Sequence, residues 1–190
     1  MFIMSQTDFK DERIKFQDWS TRKLETPMGL LPILETEEGQ LLQTVPINNF
    51  LAARLGFLPQ DEWDRCQSDS LLIHANELYE ILGRRVYIYL YYRKNEVPND
   101  IIDVEKEAKY KIMQYFTLMT SMARPGCRFL FGEKITVADI VLYCTVEYCC
   151  VRYPETRTFN SWLVDWLKHM EQDALFCKYL KSRSGTCNGT

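Results

Sequence analysis

The chain has 190 residues, 46% of them hydrophobic and 26% charged, with a formal net charge of -3, enough for one large domain or two small ones. No apolar run approaches the roughly 20 residues needed to cross a bilayer. The opening "MFIMSQTDFKDER" lacks the basic start and apolar core of a secretion signal, and no basic stripe favours nucleic acid. These totals point to a soluble cytoplasmic protein with no nucleic-acid and no membrane partner.

In chain order, residues 9–15 ("FKDERIK") alternate weakly, as one strand would. Residues 16–29 have irregular spacing and read as loop or short helix. "LLPIL" and "QLLQ", separated by "ETEEG", read as a β-hairpin, with Pro32 confined to a strand start, an edge or a bulge. "TVPINNFLAARLGF" reads as a helix, with Thr44 as N-cap, Pro46 in the first turn and Gly56 as the stop.

From Trp63 to Tyr92 the pattern is helical, and Leu71, Leu72, Ala75, Leu78, Tyr79 and Leu82 recur on one face. The run "VYIYLYY" (86–92) alternates like a strand, but no turn other than Gly83 separates it from the preceding helix, so helix is expected. "RKNEVPND" reads as a loop. "IIDVEKEAKYKIMQYFTLMTSMA" reads as a second long helix ended by "RPG". A further helix follows "FLFGEK", and "FNSWLVDWLKHMEQ" and "ALFCKYLKSR" are two more. The tail, 184–190, reads as disordered. The fold class is α/β plus all-α, with a small first unit at 1–57 and a helical bundle at 58–183.

The seven cysteines are scattered without a CxxC pair, and the two histidines are His74 and His169. That favours reduced thiols, mostly in the core, and no metal site. Thr136 and Asp139, three residues apart, form a capping box at the start of a helix, with Ile135 and Ile140 as a staple; this is a folding device.

Three other features each have a functional and a plain reading. Pro32 either turns the backbone before it outward to pair with an extended peptide, or simply opens an edge strand. Gln43 and Thr44, before a helix, either hold a carboxylate at the helix N-terminus or only cap it. Trp19 and Lys23, four residues apart, either hold a second carboxylate or are a loop indole and a solvated amine. Together they describe a site for a short peptide with two carboxylates, such as glutathione.

"DFKDERIKFQDW", "TPMGLLPILE", "LLQTVPINNFLA", "GEKITVADIVLY" and "ALFCKYLKSR" occur in the order used by the glutathione transferases. The chain resembles that family from Phe2 to about Arg183, and looks most like the sigma class and the related flatworm enzymes. The resemblance implies a thioredoxin-like domain followed by an all-helical one, and a homodimer. It implies glutathione as co-substrate, conjugated to small hydrophobic electrophiles in detoxification, with no metal.

Residue by residue, Pro32 would be the family's cis-proline and Leu31 would pair with the cysteinyl backbone of glutathione. Gln43 and Thr44 match the Gln-Ser pair on the γ-glutamyl carboxylate. Trp19 and Lys23 match the pair on the glycyl end. Glu77 falls where the family has an aspartate that crosses the dimer interface to the γ-glutamyl ammonium. Leu30 replaces a polar or basic residue, so one contact is lost. The electrophile would lie between the two units, walled by Tyr87, Tyr91 and Phe176.

The family opens with a strand carrying the catalytic tyrosine, then a helix carrying a glutathione-binding arginine. This chain starts where that helix ends, and no tyrosine precedes Tyr79. A strand and a helix together are about 20 residues. The expectation is therefore a truncated thioredoxin-like domain with no catalytic residue, in which the hairpin and "DERIK" lack their central partner. Conjugation would suffer, because the thiolate is the nucleophile and loses its hydroxyl donor. The alternatives are a non-catalytic binding or structural protein, as relatives in eye lenses are, and an unrelated thioredoxin-like module. Prostaglandin isomerisation occurs in the sigma class, but no residue here selects for it.

Overall fold

The computed structural model describes residues 1–92 and 99–183, with side chains for 1–83 and 105–183. Two compact units emerge, one of Met1–Leu58 together with the segment from Ala174, the other of Pro59–Asp173. The sequence placed the last helix with the bundle at 58–183; its contacts group it with the first unit instead. The tail at 184–190 lies outside the described residues.

The first unit opens with a single turn, α1 (Phe2–Ser5). The strand expected at 9–15 is absent: this stretch has no regular structure. Its alternation finds no neighbouring strand. Phe9 turns back to stack on Phe2 at 4.8 Å, and the charges pair locally, Lys10 with Glu12 at 3.1 Å and Arg13 with Asp11 at 2.8 Å. Arg22 clamps the loop, reaching Glu12 and Glu25 at 2.9 Å each. Residues 16–29 form short helical turns, including α2 (Trp19–Arg22).

The hairpin forms as expected, from β1 (Ile33–Thr36) and β2 (Gly39–Leu42). Thr36 faces Gly39 across a two-residue turn, where Gly39 has φ 127°. The Thr36 hydroxyl accepts from the Glu38 amide at 3.2 Å and donates to the Gly39 carbonyl at 3.0 Å, which fixes the turn. Pro32 stands just before β1 and interrupts no ladder. Among the described residues the sheet has these two strands alone. An ion pair between Arg54 and Glu38 ties the turn to α3 (Thr44–Leu55).

That helix starts one residue earlier than expected. Gln43, not Thr44, is the N-cap, because its φ of 72° turns the chain out of β2 before Thr44. Gly56 ends the helix in the left-handed conformation, and the Phe57 amide closes on the Ala52 carbonyl at 2.8 Å. The final helix, α8 (Ala174–Arg183), packs on α1.

The second unit is built from α4 (Glu62–Tyr92), α5 (Asn99–Met122), α6 (Val137–Arg152) and α7 (Ser161–Gln172). The run 86–92 is helical. The expected core face of α4 is buried except at Tyr79, which is half-buried against Tyr148 at 4.9 Å. Opposite lie Ile112, Phe116 and Met119 of α5 and Leu142 and Val146 of α6. Asn160 caps α7, accepting from the Leu163 amide at 2.8 Å, and donates to Thr120 at 2.9 Å.

The capping box at Thr136 forms, and Asp139 does more than cap. It is fully buried and accepts from the Thr136 amide at 2.9 Å, the Thr136 hydroxyl at 2.8 Å, the Leu130 amide at 2.9 Å and Trp166 Nε1 at 3.0 Å. Burial pushes its carboxyl above the usual range, against donors that each favour the ionised form. One side chain thus joins the loop before α6, α6 itself and α7.

Candidate functional site

The hairpin register decides what its open end presents. Ile33 stands opposite Leu42, where the paired register ends, with Pro32 just before it on one side and Gln43, which turns the chain into α3, just after it on the other. The Leu31–Pro32 peptide is cis. Leu31 is exposed, and among the described residues no hydrogen bond takes up its backbone N–H or C=O. This is an edge able to pair with an extended peptide.

Beside that edge α3 begins. The Gln43 carbonyl accepts from the Ile47 amide at 3.1 Å. Pro46 has no N–H to offer. The amides of Thr44 and Val45 are therefore the open first-turn donors. Their position, with the positive end of the helix dipole, suits a carboxylate.

Trp19 opens α2, and Lys23 follows its last residue, one helical turn later. The chain then doubles back. The Thr26 amide and hydroxyl both donate to the Lys23 carbonyl, at 3.3 and 2.9 Å, and the Gly29 amide donates to the Thr26 carbonyl at 3.1 Å. Gly29 consequently lies against the Lys23 stem: a Cβ added there would stand 2.9 Å from Lys23 Cε. Lys23 is thereby held two residues from Leu31. Its side chain is exposed, and among the described residues its ammonium has no ion-pair partner. Lys23, Leu31, Pro32, Gln43 and Thr44 all lie in the first unit, with half-buried Trp19 one turn before Lys23.

Glu77 belongs to the other unit. It is exposed on α4 and rims a groove of about 360 Å³ with His74, Lys111 and Gln114, above Leu78 and Tyr115. The groove was not legible in the sequence, because its two walls come from helices far apart in the chain. His74 Nδ1 lies 2.7 Å from the Ser70 carbonyl, which leaves Nε2 as the free ring nitrogen. The Tyr115 hydroxyl donates to the Leu71 carbonyl at 3.2 Å. Burial raises the hydroxyl pKa of Tyr79, Tyr115 and Tyr143 above the usual range.

Phe176 is buried, ring to ring with Tyr179 at 5.5 Å, and so fills a core. The side chains of Tyr87 and Tyr91 lie outside those described. Among the described residues, no group of three His, Cys, Asp or Glu could hold a metal ion, and no helix is long and apolar enough to cross a membrane.

Residues 102–169 match the family model of the glutathione S-transferase C-terminal domain. Over 205 residues the chain is 22% identical to S-crystallin 2 of Enteroctopus dofleini, covering 98% of this chain and 90% of that protein. It is also 22% identical to glutathione S-transferase 1 of Ascaris suum, over 98% of this chain and 89% of the relative. The glutathione S-transferase structure from Ascaris lumbricoides superposes with a TM-score of 0.78 at 23% identity, over 96% of this chain and 88% of that one. The chain has the glutathione S-transferase fold, and these matches support that family.

Proposed function

We propose that the chain is a glutathione transferase whose first unit binds glutathione at the open end of the hairpin. The observation that carries this reading is the Leu31 backbone, without a hydrogen-bond partner among the described residues, two residues before Ile33, which pairs with Leu42 just ahead of α3. One edge pairs with the cysteinyl backbone. The amides of Thr44 and Val45, the Thr44 hydroxyl and Gln43 take the γ-glutamyl carboxylate. Trp19 and Lys23 take the glycyl carboxylate. The finer assignment is a sigma-like, cytoplasmic homodimer that conjugates small hydrophobic electrophiles in detoxification. In it Glu77 reaches the partner's glutathione.

A second reading is a binding or structural protein that does not catalyse. It is favoured by the similarity to an S-crystallin. Calorimetric titration with glutathione, beside a conjugation assay with 1-chloro-2,4-dinitrobenzene, separates the two. Binding with turnover supports the enzyme. Binding without turnover supports the second reading. No binding at millimolar glutathione defeats both.

A further inference from the structure

We infer that Gly29 is a positioning residue: its missing side chain is the seat on which the Lys23 ammonium is aimed at the C-terminal carboxylate of the bound peptide. This rests on the proposed glutathione site and adds to it a residue that would not touch the ligand.

Three methylenes of Lys23 run along Gly29. A Cβ built there would lie 2.9 Å from Cε, 3.2 Å from Cγ and 3.7 Å from Cδ. A side chain at position 29 must therefore displace the stem, and the part that yields most easily is its far end, next to the ammonium. That displacement costs the fold little, because Lys23 is exposed. It costs the site its charge. The turn from Lys23 to Gly29 is held by three hydrogen bonds, two on the Lys23 carbonyl and one on the Gly29 amide, so the backbone on both sides of the seat is fixed. The seat lies two residues before Leu31. An extended peptide advances about 3.3 Å per residue. A carboxylate one residue beyond the unit paired with Leu31 therefore falls within reach of a lysine held at Gly29.

Gly29 has φ 62°, so alanine there would also strain the backbone. Asparagine tolerates the left-handed region yet carries a Cβ, and separates the two effects. The test compares the wild type, Gly29→Asn, Lys23→Ala and the double variant. Two probes are titrated by calorimetry: glutathione, and its C-terminal glycinamide, which keeps the backbone but lacks the glycyl carboxylate.

We expect Gly29→Asn to weaken glutathione by about threefold to tenfold, the range of one exposed to half-exposed charged contact. It leaves the glycinamide unchanged and adds no loss to Lys23→Ala. Equal affinity for glutathione in Gly29→Asn and wild type overturns the inference. So do equal losses for both probes, the signature of a damaged fold, and full additivity with Lys23→Ala. If the wild type binds neither probe, the glutathione site itself is wrong and the inference goes with it. Wild-type binding with an indifferent Gly29→Asn sinks the inference alone.

Discussion

The two units differ in how they use their apolar residues. In Pro59–Asp173, four helices bury Leu72, Phe116, Met119, Leu142 and Trp166 almost completely, and the central carboxylate of Asp139 is met by four donors. In the first unit a two-stranded hairpin stands with its strand residues only half-buried, and Phe16, Leu24 and Met28 are 85% exposed or more. A lone hairpin is marginal in water. Apart from Glu77, the proposed ligand groups lie in this thinner unit, and the deeply buried core lies in the other. Binding elements are commonly drawn from the less stable part of a fold, where local opening is cheap.

The comparison is broken most directly at Asp139. Replacing it with alanine strands buried donors from Leu130, Thr136 and Trp166, so Asp139→Ala should cost on the order of 3–5 kcal/mol. Asp139→Asn keeps one acceptor oxygen and should cost about half as much. Urea melts followed by helical circular dichroism measure both. A loss under 1 kcal/mol for the alanine variant would remove Asp139 from the centre of the helical unit.

Matched truncations sharpen the contrast. Leu142→Ala, at a site 1% exposed, should cost about 3 kcal/mol; Leu34→Ala, on the half-buried hairpin, should cost about 1 kcal/mol. Equal losses would mean that the hairpin is packed as firmly as the bundle. Hydrogen exchange should agree, with the amides of residues 33–42 exchanging well before those of the α6 interior.

Alkali should act on the helical unit. Burial pushes the Cys149 thiol up to about 12 and raises the hydroxyls of Tyr79, Tyr115 and Tyr143. An unfolded thiol loses its proton near ~8.5 and an unfolded tyrosine near ~10. Above those values the unfolded chain holds fewer protons than the folded one, so stability falls as pH rises. For Cys149 the window runs from the unfolded thiol value to about 12. The slope reaches about 1.4 kcal/mol per pH unit for each group fully inside its window. Cys149→Val should flatten the part between about pH 8.5 and 10. Chevron midpoints across pH 7–10 would reveal whether the slope is there.

The smallest effect belongs to Glu12. Its hydrogen bond from Arg22 holds the carboxyl below the usual range, but the group is fully solvated. Glu12→Gln should leave the melting midpoint unchanged. A measurable shift would show that the loop at 6–15 is tied down more tightly than its exposure suggests.

Local chemistry was legible in the sequence. Thr136 and Asp139 are three residues apart, and spacing alone announces their box. Gly56 stops α3 because the chain there needs the left-handed region. Pro32 was confined to a strand start, an edge or a bulge, and β1 begins on the next residue. The misreadings turned on what neighbouring elements do with the chain. Alternation at 9–15 means a strand only if another strand is beside it. Whether Gln43 or Thr44 caps α3 depends on how β2 hands over the chain. The Trp166 bond to Asp139 spans 27 residues, and the Lys23 stem meets Gly29 only because the loop doubles back. Neither leaves a periodic trace.

The grouping of α8 with α1 has a consequence for biosynthesis. The helical unit is one continuous segment, so no residue beyond Asp173 is needed to complete it. The first unit is made first and completed last, since its closing helix is Ala174–Arg183. A stop codon just after the helical segment would therefore leave the bundle whole and injure the opposite end of the chain, the end that holds the hairpin.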